Sequence, residues 1–207
     1  MLGERTARKN YDDMTDEEFA ALVEAGRERR NLEYKQSGSW TDAAYKTRIV
    51  KAILALTNIR DGGWVVIGMA EQQGAHVAQG VMPADLKTID EQTMQDGVGE
   101  YAAPYVSFTV ETRTYGAAQF VLISVREFEE VPVICKKEFS GVLRRGATYV
   151  RSRGRRPESV EVSNEADMRE VLELAIDKGV QRLRRRGYVQ LEPNAHEAYD
   201  EEARDIL

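Results

Sequence analysis

Ile49-Val-Lys-Ala-Ile53-Leu-Ala-Leu56-Thr-Asn58-Ile-Arg-Asp61-Gly-Gly63-Trp64-Val-Val-Ile-Gly68-Met69 decides the fold. Ile49, Ile53 and Leu56 recur at helical spacing and predict a helix that starts at an Asp42 cap and ends near Asn58. Asp61-Gly-Gly63 then reads as a tight turn. The run Trp64 to Met69 is apolar throughout and too short for a buried helix, so it suits a strand covered on both faces. Helix, turn and doubly covered strand make the centre of an α+β core.

Upstream, Thr15-Asp-Glu-Glu18 is a capping box opening a helix through Phe19, Leu22 and Val23 to about Gly26. Leu32-Glu-Tyr-Lys35 alternates as a short strand, with Leu32 and Tyr34 on one face and Glu33 and Lys35 on the other. Downstream, His76 to Val81 reads as a short returning strand, and Asp85 to about Tyr101 as one helix weakened by Gly97 and Gly99. Val106–Tyr115 and Gln119–Phe128 form a hairpin around Gly116. Val131 to Lys136 is extended, and strands at Val142-Leu-Arg144 and Thr148–Arg151 flank Gly146. Ser163 or Asn164 caps a long amphipathic helix that carries Met168, Leu172, Ala175 and Leu183 and stops at Gly187. The expected architecture is α+β: a single domain over 15–190, with a mixed β-sheet flanked by helices and a long C-terminal helix. A polar segment, 1–14, precedes it, and an acidic tail or linker, 191–207, follows.

The chain of 207 residues is 42% apolar and 31% charged, as expected for a globular domain of ordinary size. No apolar run suits a bilayer crossing, and the first residues contain no apolar stretch of signal-peptide type. One cysteine, Cys135, excludes an internal disulfide and a cysteine zinc cluster, and a buried structural thiol is the reading it supports. A cytoplasmic location is the default expectation, with no membrane partner. His76 and His196 lie far apart without ligand-like neighbours, which argues against a histidine metal site or base. Gly141-Val-Leu-Arg-Arg-Gly146 has phosphate-loop glycine spacing but lacks the lysine that such a loop requires.

The net charge of −6 conceals an asymmetry. Eight Lys/Arg and one acid, Glu138, fall between Lys136 and Arg156, whereas Glu192, Glu197, Asp200, Glu201, Glu202 and Asp205 make the tail acidic. Arg144, Arg145, Arg151, Arg153, Arg155 and Arg156 are therefore candidate phosphate-binding residues, with Lys46 and Lys51 extending the positive surface. Tyr149 beside them packs in a sheet or stacks on a base, and packing is the commoner role. An acidic set accompanies them. If the strands at Leu32 and Trp64 are neighbours, Glu28, Glu33 and Glu71 converge at one sheet end, where hard cations such as Mg²⁺ or Mn²⁺ find oxygen ligands. Such an ion would polarise a phosphodiester and generate hydroxide. Taken singly, each of these glutamates is more often a solvated surface residue.

Glu28-Arg-Arg-Asn-Leu-Glu33-Tyr-Lys35 resembles the Glu-x-x-x-x-Glu-Phe/Tyr-Lys element that opens the Schlafen-type AlbA domain. The helix ending at Asn58, Gly62-Gly63 and the strand to Gly68 are similar to its core. Val131-Pro-Val133, Thr148–Arg151 and Arg155-Arg156-Pro157 resemble its closing segments. The resemblance runs in order from about Glu28 to Arg156. It implies nucleic-acid binding and, by likeness to the Schlafen core, an endoribonuclease of structured RNA such as tRNA. It further implies catalytic carboxylates at Glu28, Glu33 and Glu71, an Mg²⁺ or Mn²⁺ cofactor, and Lys35 steadying the phosphate. Glu71 stands where the family has aspartate, and the cysteine/histidine zinc site of animal members has no counterpart here. The animal core has two lobes enclosing RNA, so a one-lobed chain implies a homodimer facing across a basic groove. Three functions follow: a metal-dependent endoribonuclease, a non-catalytic DNA- or RNA-binding or regulatory module, and an interaction scaffold using the long helix and acidic tail. Acids that serve no purpose inside a phosphate-binding face would repel the ligand, which favours the nuclease.

Overall fold

The computed structural model describes residues 14–153 and 157–188. In chain order the elements are α1 (Asp16–Ala25), β1 (Leu32–Lys35), α2 (Ala43–Thr57), β2 (Gly63–Ile67), β3 (Met69–Gln72), β4 (Ala75–Ala78), α3 (Pro83–Leu86) and α4 (Glu91–Gly99). They continue with β5 (Ala102–Ala103), β6 (Phe108–Tyr115), β7 (Ala118–Val125), β8 (Ile134–Cys135), β9 (Tyr149–Arg151), β10 (Ser159–Glu161) and α5 (Glu165–Arg185). The central sheet has the order β1-β2-β7-β6. β1 pairs parallel with β2, and the remaining pairs are antiparallel, so the sheet is mixed and the architecture α+β.

Alternation along the strands sends side chains into two cores. Leu32, Tyr34, Val66, Phe120 and Leu122 pack with Met14, Phe19 and Val23 under α1. Val65, Ile67, Val121, Ile123 and Val125 pack with Ile49, Ile53, Leu54 and Leu56 of α2, and with Val171 and Leu174 of α5. β2 is therefore covered on both faces, which is why its sequence is apolar throughout. The double glycine before it is a matter of space. A Cβ on Gly62 would lie 2.1 Å from the Val125 carbonyl oxygen, and one on Gly63 would lie 2.3 Å from that of Asn31.

The helix starts are capped as the sequence predicts: Thr15 forms the full capping box with Glu18, Asp42 accepts from the Tyr45 amide, and Asn164 accepts from the Asp167 amide. Several boundaries differ. The helix expected over Asp85–Tyr101 is two helices, because Asp90 caps a new start by accepting from the Thr93 amide. The Thr88 hydroxyl meanwhile donates to the Asp85 carbonyl and accepts from the Trp40 amide, closing the turn between them. The apolar run at Trp64 breaks at Gly68, and Met69 begins a separate hairpin, β3–β4, which ends at Ala78 rather than Val81. Val142–Arg144 forms no strand; Leu143 makes an isolated bridge to Phe139. β10, which pairs with β9, has no counterpart in the sequence reading. Met14 is buried, so the core begins one residue inside the segment expected to be polar. The acidic tail lies outside the described residues. Among the described residues, no helix is long and apolar enough to cross a membrane.

Candidate nucleic-acid interface

β1 enters the sheet immediately after the α1–β1 loop, and its register with β2 sets Glu33 opposite Val65 and Lys35 opposite Ile67. Leu32 and Tyr34 are pinned in the α1-side core, so Glu33 points to the opposite face. There β9 and β10 bring Arg151 and Ser159. Arg151 Nη1 donates to Glu33 Oε2 at 2.8 Å, and Ser159 Oγ donates to the same oxygen at 2.5 Å. Lys35 Nζ donates to Glu33 Oε1. Arg151 Nη2 reaches Glu28 Oε2 at 3.2 Å and also donates to the Arg29 and Leu32 carbonyls. Glu28 Oε1 accepts from the Tyr34 amide at 2.8 Å. One guanidinium, 1% exposed, thus spans two carboxylates and two carbonyls and ties β9 to the β1 edge.

A cavity of about 400 Å³ opens over this network. Glu28, Glu33, Lys35, Arg48, Lys51, Glu71, His76, Arg151, Glu158 and Ser159 are among its lining residues. The structure therefore brings Glu28, Glu33, Glu71 and Lys35 around one opening, with Lys51 on the α2 wall. It also places two residues there that the sequence reading left out. Arg48 is exposed one turn before Lys51 on the same helix, a spacing of three that puts both on one face. His76 sits opposite Glu71 across the β3–β4 hairpin, with its ring 5.0 Å from that of Tyr34. Only the hairpin register, which sequence spacing does not show, pairs His76 with Glu71.

The acids do not form a metal centre. Among the described residues, no group of three or more His, Cys, Asp or Glu side chains is disposed to hold a metal ion. Both Glu33 oxygens are taken by Lys35, Arg151 and Ser159, and an ion would have to displace cations already in place. The cavity as found does not fit a shared Mg²⁺ or Mn²⁺.

The predicted basic residues are distributed more widely than one loop. Arg151 is a buried counter-ion with no surface to offer a phosphate. Arg144 forms a two-pronged pair with Glu161, and Arg153 bonds Glu170, which also holds Arg30. Lys46 lies near Glu100 at 3.9 Å. Solvent screens these surface pairs, so the exposed arginines remain able to exchange their partners for phosphate. Arg145 is exposed, whereas Arg155 and Arg156 lie outside the described residues. Tyr149 packs, buried, with its hydroxyl accepting from the Arg144 amide and Lys51 5.3 Å above its ring. Cys135 is buried, and burial pushes its thiol pKa up.

Burial alone would raise the pKa of Glu33, but the charges of Lys35 and Arg151 and hydrogen bonds from Lys35 and Ser159 outweigh it and hold the carboxyl below its ordinary 4.5. A depressed folded-state pKa adds stability that is present above the unfolded value and lost as pH falls through the folded one. Unfolding free energy is therefore expected to decline as pH drops below 4.5. Denaturant titrations at a series of pH values check this, and the decline should be shallower in Glu33→Gln.

A mixed sheet covered on both faces, with a buried arginine–glutamate network under a charged cavity at one edge strand, defines the class: an α+β domain with a polar cavity at the β1 edge. The chain belongs to the Schlafen AlbA_2 family, whose model matches residues 28–158. That segment contains the residues lining the cavity, Ser159 excepted. Membership points to a function on nucleic acid. Among solved structures, the chain is similar to a protein of Corynebacterium diphtheriae at 14% identity and TM-score 0.45, covering 70% of this chain and 25% of that one. It thus spans a quarter of the length of that protein. It is also similar to the N-terminal domain of a RecG-related protein of Nitrosomonas europaea, at 16% identity and TM-score 0.43, covering 73% of this chain and 98% of that domain. No curated protein sequence matches it.

Proposed function

We propose that the domain binds the phosphodiester backbone of nucleic acid across this cavity, with Arg48 and Lys51 on the α2 wall as its principal contacts. The observation that carries the reading is the neutralisation of the cavity floor by Arg151. Free carboxylates in the cavity would repel phosphate unless catalysis used them. Glu28 and Glu33 are instead internally paired, so a polyanion meets a compensated floor beside a cationic wall. Exposed Arg144, Arg145 and Arg153 extend that surface at the cost of weak pairs.

Endoribonuclease activity on structured RNA is the second reading. It is favoured by one observation: Glu28, Glu33, Glu71 and Lys35 line the same cavity. The two readings part at Glu71, which is exposed and free to change without disturbing the core. In fluorescence-polarisation titrations, the binding reading expects affinity for labelled RNA or DNA to fall with salt, by a log–log slope of about 0.7–0.9 per phosphate contact. It expects the double variant Arg48→Glu, Lys51→Glu to lose about 1–2 kcal/mol, roughly tenfold, and Glu71→Gln to bind at least as well as wild type. No binding at low salt, or wild-type affinity in the double variant, would overturn it. Cleavage of tRNA in Mn²⁺ that disappears in Glu71→Gln would establish the nuclease instead.

A further inference from the structure

The long C-terminal helix presents two apolar faces, and among the described residues only one is covered. Val171 and Leu174 are buried in the larger core, and Lys178–Glu127, Arg60–Asp177 and Arg182–Glu130 ion pairs tether α5 to the domain. On the opposite side Met168, Leu172, Ile176 and Leu183 are 45%, 52%, 64% and 40% exposed. Their spacings of four, four and seven place them, with Gly179, along one continuous stripe of the helix. A solvent-facing apolar stripe of this length is a surface that costs solubility unless something covers it.

We propose that the occupant is α5 of a second copy of this chain, packed antiparallel about a two-fold axis near Ile176. Charge selects the partner and its direction. Before Ile176 the helix carries Glu165, Asp167, Glu170 and Glu173 against one cation, Arg169, and after it Lys178, Arg182, Arg184, Arg185 and Arg186 against one acid, Asp177. An antiparallel pair lays the acidic half of each helix beside the basic end of the other, whereas a parallel pair stacks like on like. Glu165 on one copy then approaches Arg184 and Arg186 on its mate, exchanging its exposed partner Arg169 for them, and the arrangement is self-complementary, as a two-fold interface requires. Gly179 fits the same account. A glycine in a helix interior costs about 1 kcal/mol relative to alanine, and a Cβ there would meet nothing within 4 Å in its own chain. The domain itself gives no packing reason for the missing side chain, while a facing helix seated on the stripe approaches closely at that point.

Sedimentation of the full chain and engineered cysteines test the interface together. Wild type is expected at twice the chain mass, and Leu172→Glu and Ile176→Glu at the single-chain mass with unchanged circular dichroism. Under oxidation, Ile176→Cys should cross-link to itself. Met168→Cys and Leu183→Cys should each fail alone yet cross-link when mixed, since either position lies about 22 Å from its own symmetry mate at 1.5 Å per residue. Buried Cys135 should stay unreacted in all of them. Self-cross-linking at all three positions would replace the antiparallel pair with a parallel one and overturn the proposal. So would a monomeric wild type, which would assign the stripe to another partner or to residues 189–207, or a dimer that survives Leu172→Glu.

Discussion

Replacing Arg151 with methionine is expected to lower the unfolding free energy by about 3–5 kcal/mol, the usual cost of removing one member of a buried ion pair. Methionine has a similar reach, so little of this comes from lost volume. The cost arises because Glu33, 4% exposed, and Glu28 are left without their shared counter-ion, and the Arg29 and Leu32 carbonyls lose a donor. Lys35 and Ser159 still serve Glu33, which sets the upper bound. Adding Glu33→Gln to Arg151→Met should restore part of the loss, since a neutral amide needs no counter-charge. Urea titrations of the wild type, both single variants and the double variant measure the coupling directly. Additive losses in that cycle would mean that Arg151 does not work through Glu33.

The second large effect is expected at Asn58. Its side chain is fully buried at the end of α2 and makes four hydrogen bonds. Nδ2 donates to the carbonyls of Leu54, Val133 and Tyr149, and Oδ1 accepts from the Val133 amide at 2.8 Å. This one amide joins helix α2, the segment leading into β8, and β9. Asn58→Ala leaves one buried N–H and three carbonyls without these bonds. At roughly 1–3 kcal/mol for an unsatisfied buried group, a loss of about 3 kcal/mol in total is expected. Since β9 carries Arg151, the variant should also loosen the cavity floor. Faster hydrogen exchange at Tyr149 to Arg151 than elsewhere in the core would show that connection; uniform exchange would show that Asn58 acts on global stability alone.

Asn58 and Arg151 also mark what sequence reading can and cannot see. Local chemistry was legible: the caps at Thr15, Asp42 and Asn164, the doubly covered strand after Gly63, and the hairpin around Gly116 all follow from short-range spacing. Asn58 reads only as a helix end, because its three carbonyl partners include residues 75 and 91 positions away. Arg151 reads as a loop arginine because its neighbours are basic. Its partners Glu28 and Glu33 are more than a hundred residues upstream, and β10, which delivers Ser159, has no strong strand pattern of its own. His76 is dismissed in sequence for want of nearby ligands, yet a four-residue hairpin strand sets it against Glu71. The convergence of Glu28, Glu33 and Glu71 on one cavity was anticipated, but the internal cation between two of them was not, and that cation changes what the site is suited to do.

The claim that this cavity receives a nucleic-acid backbone is tested most directly by amide chemical shifts. When a short RNA or DNA strand is titrated into isotopically labelled protein at low salt, the perturbed amides should cluster at 33–36, 48–51, 69–76 and 157–159. Shifts confined to other surfaces, or a spectrum unchanged at saturating strand, would contradict the account.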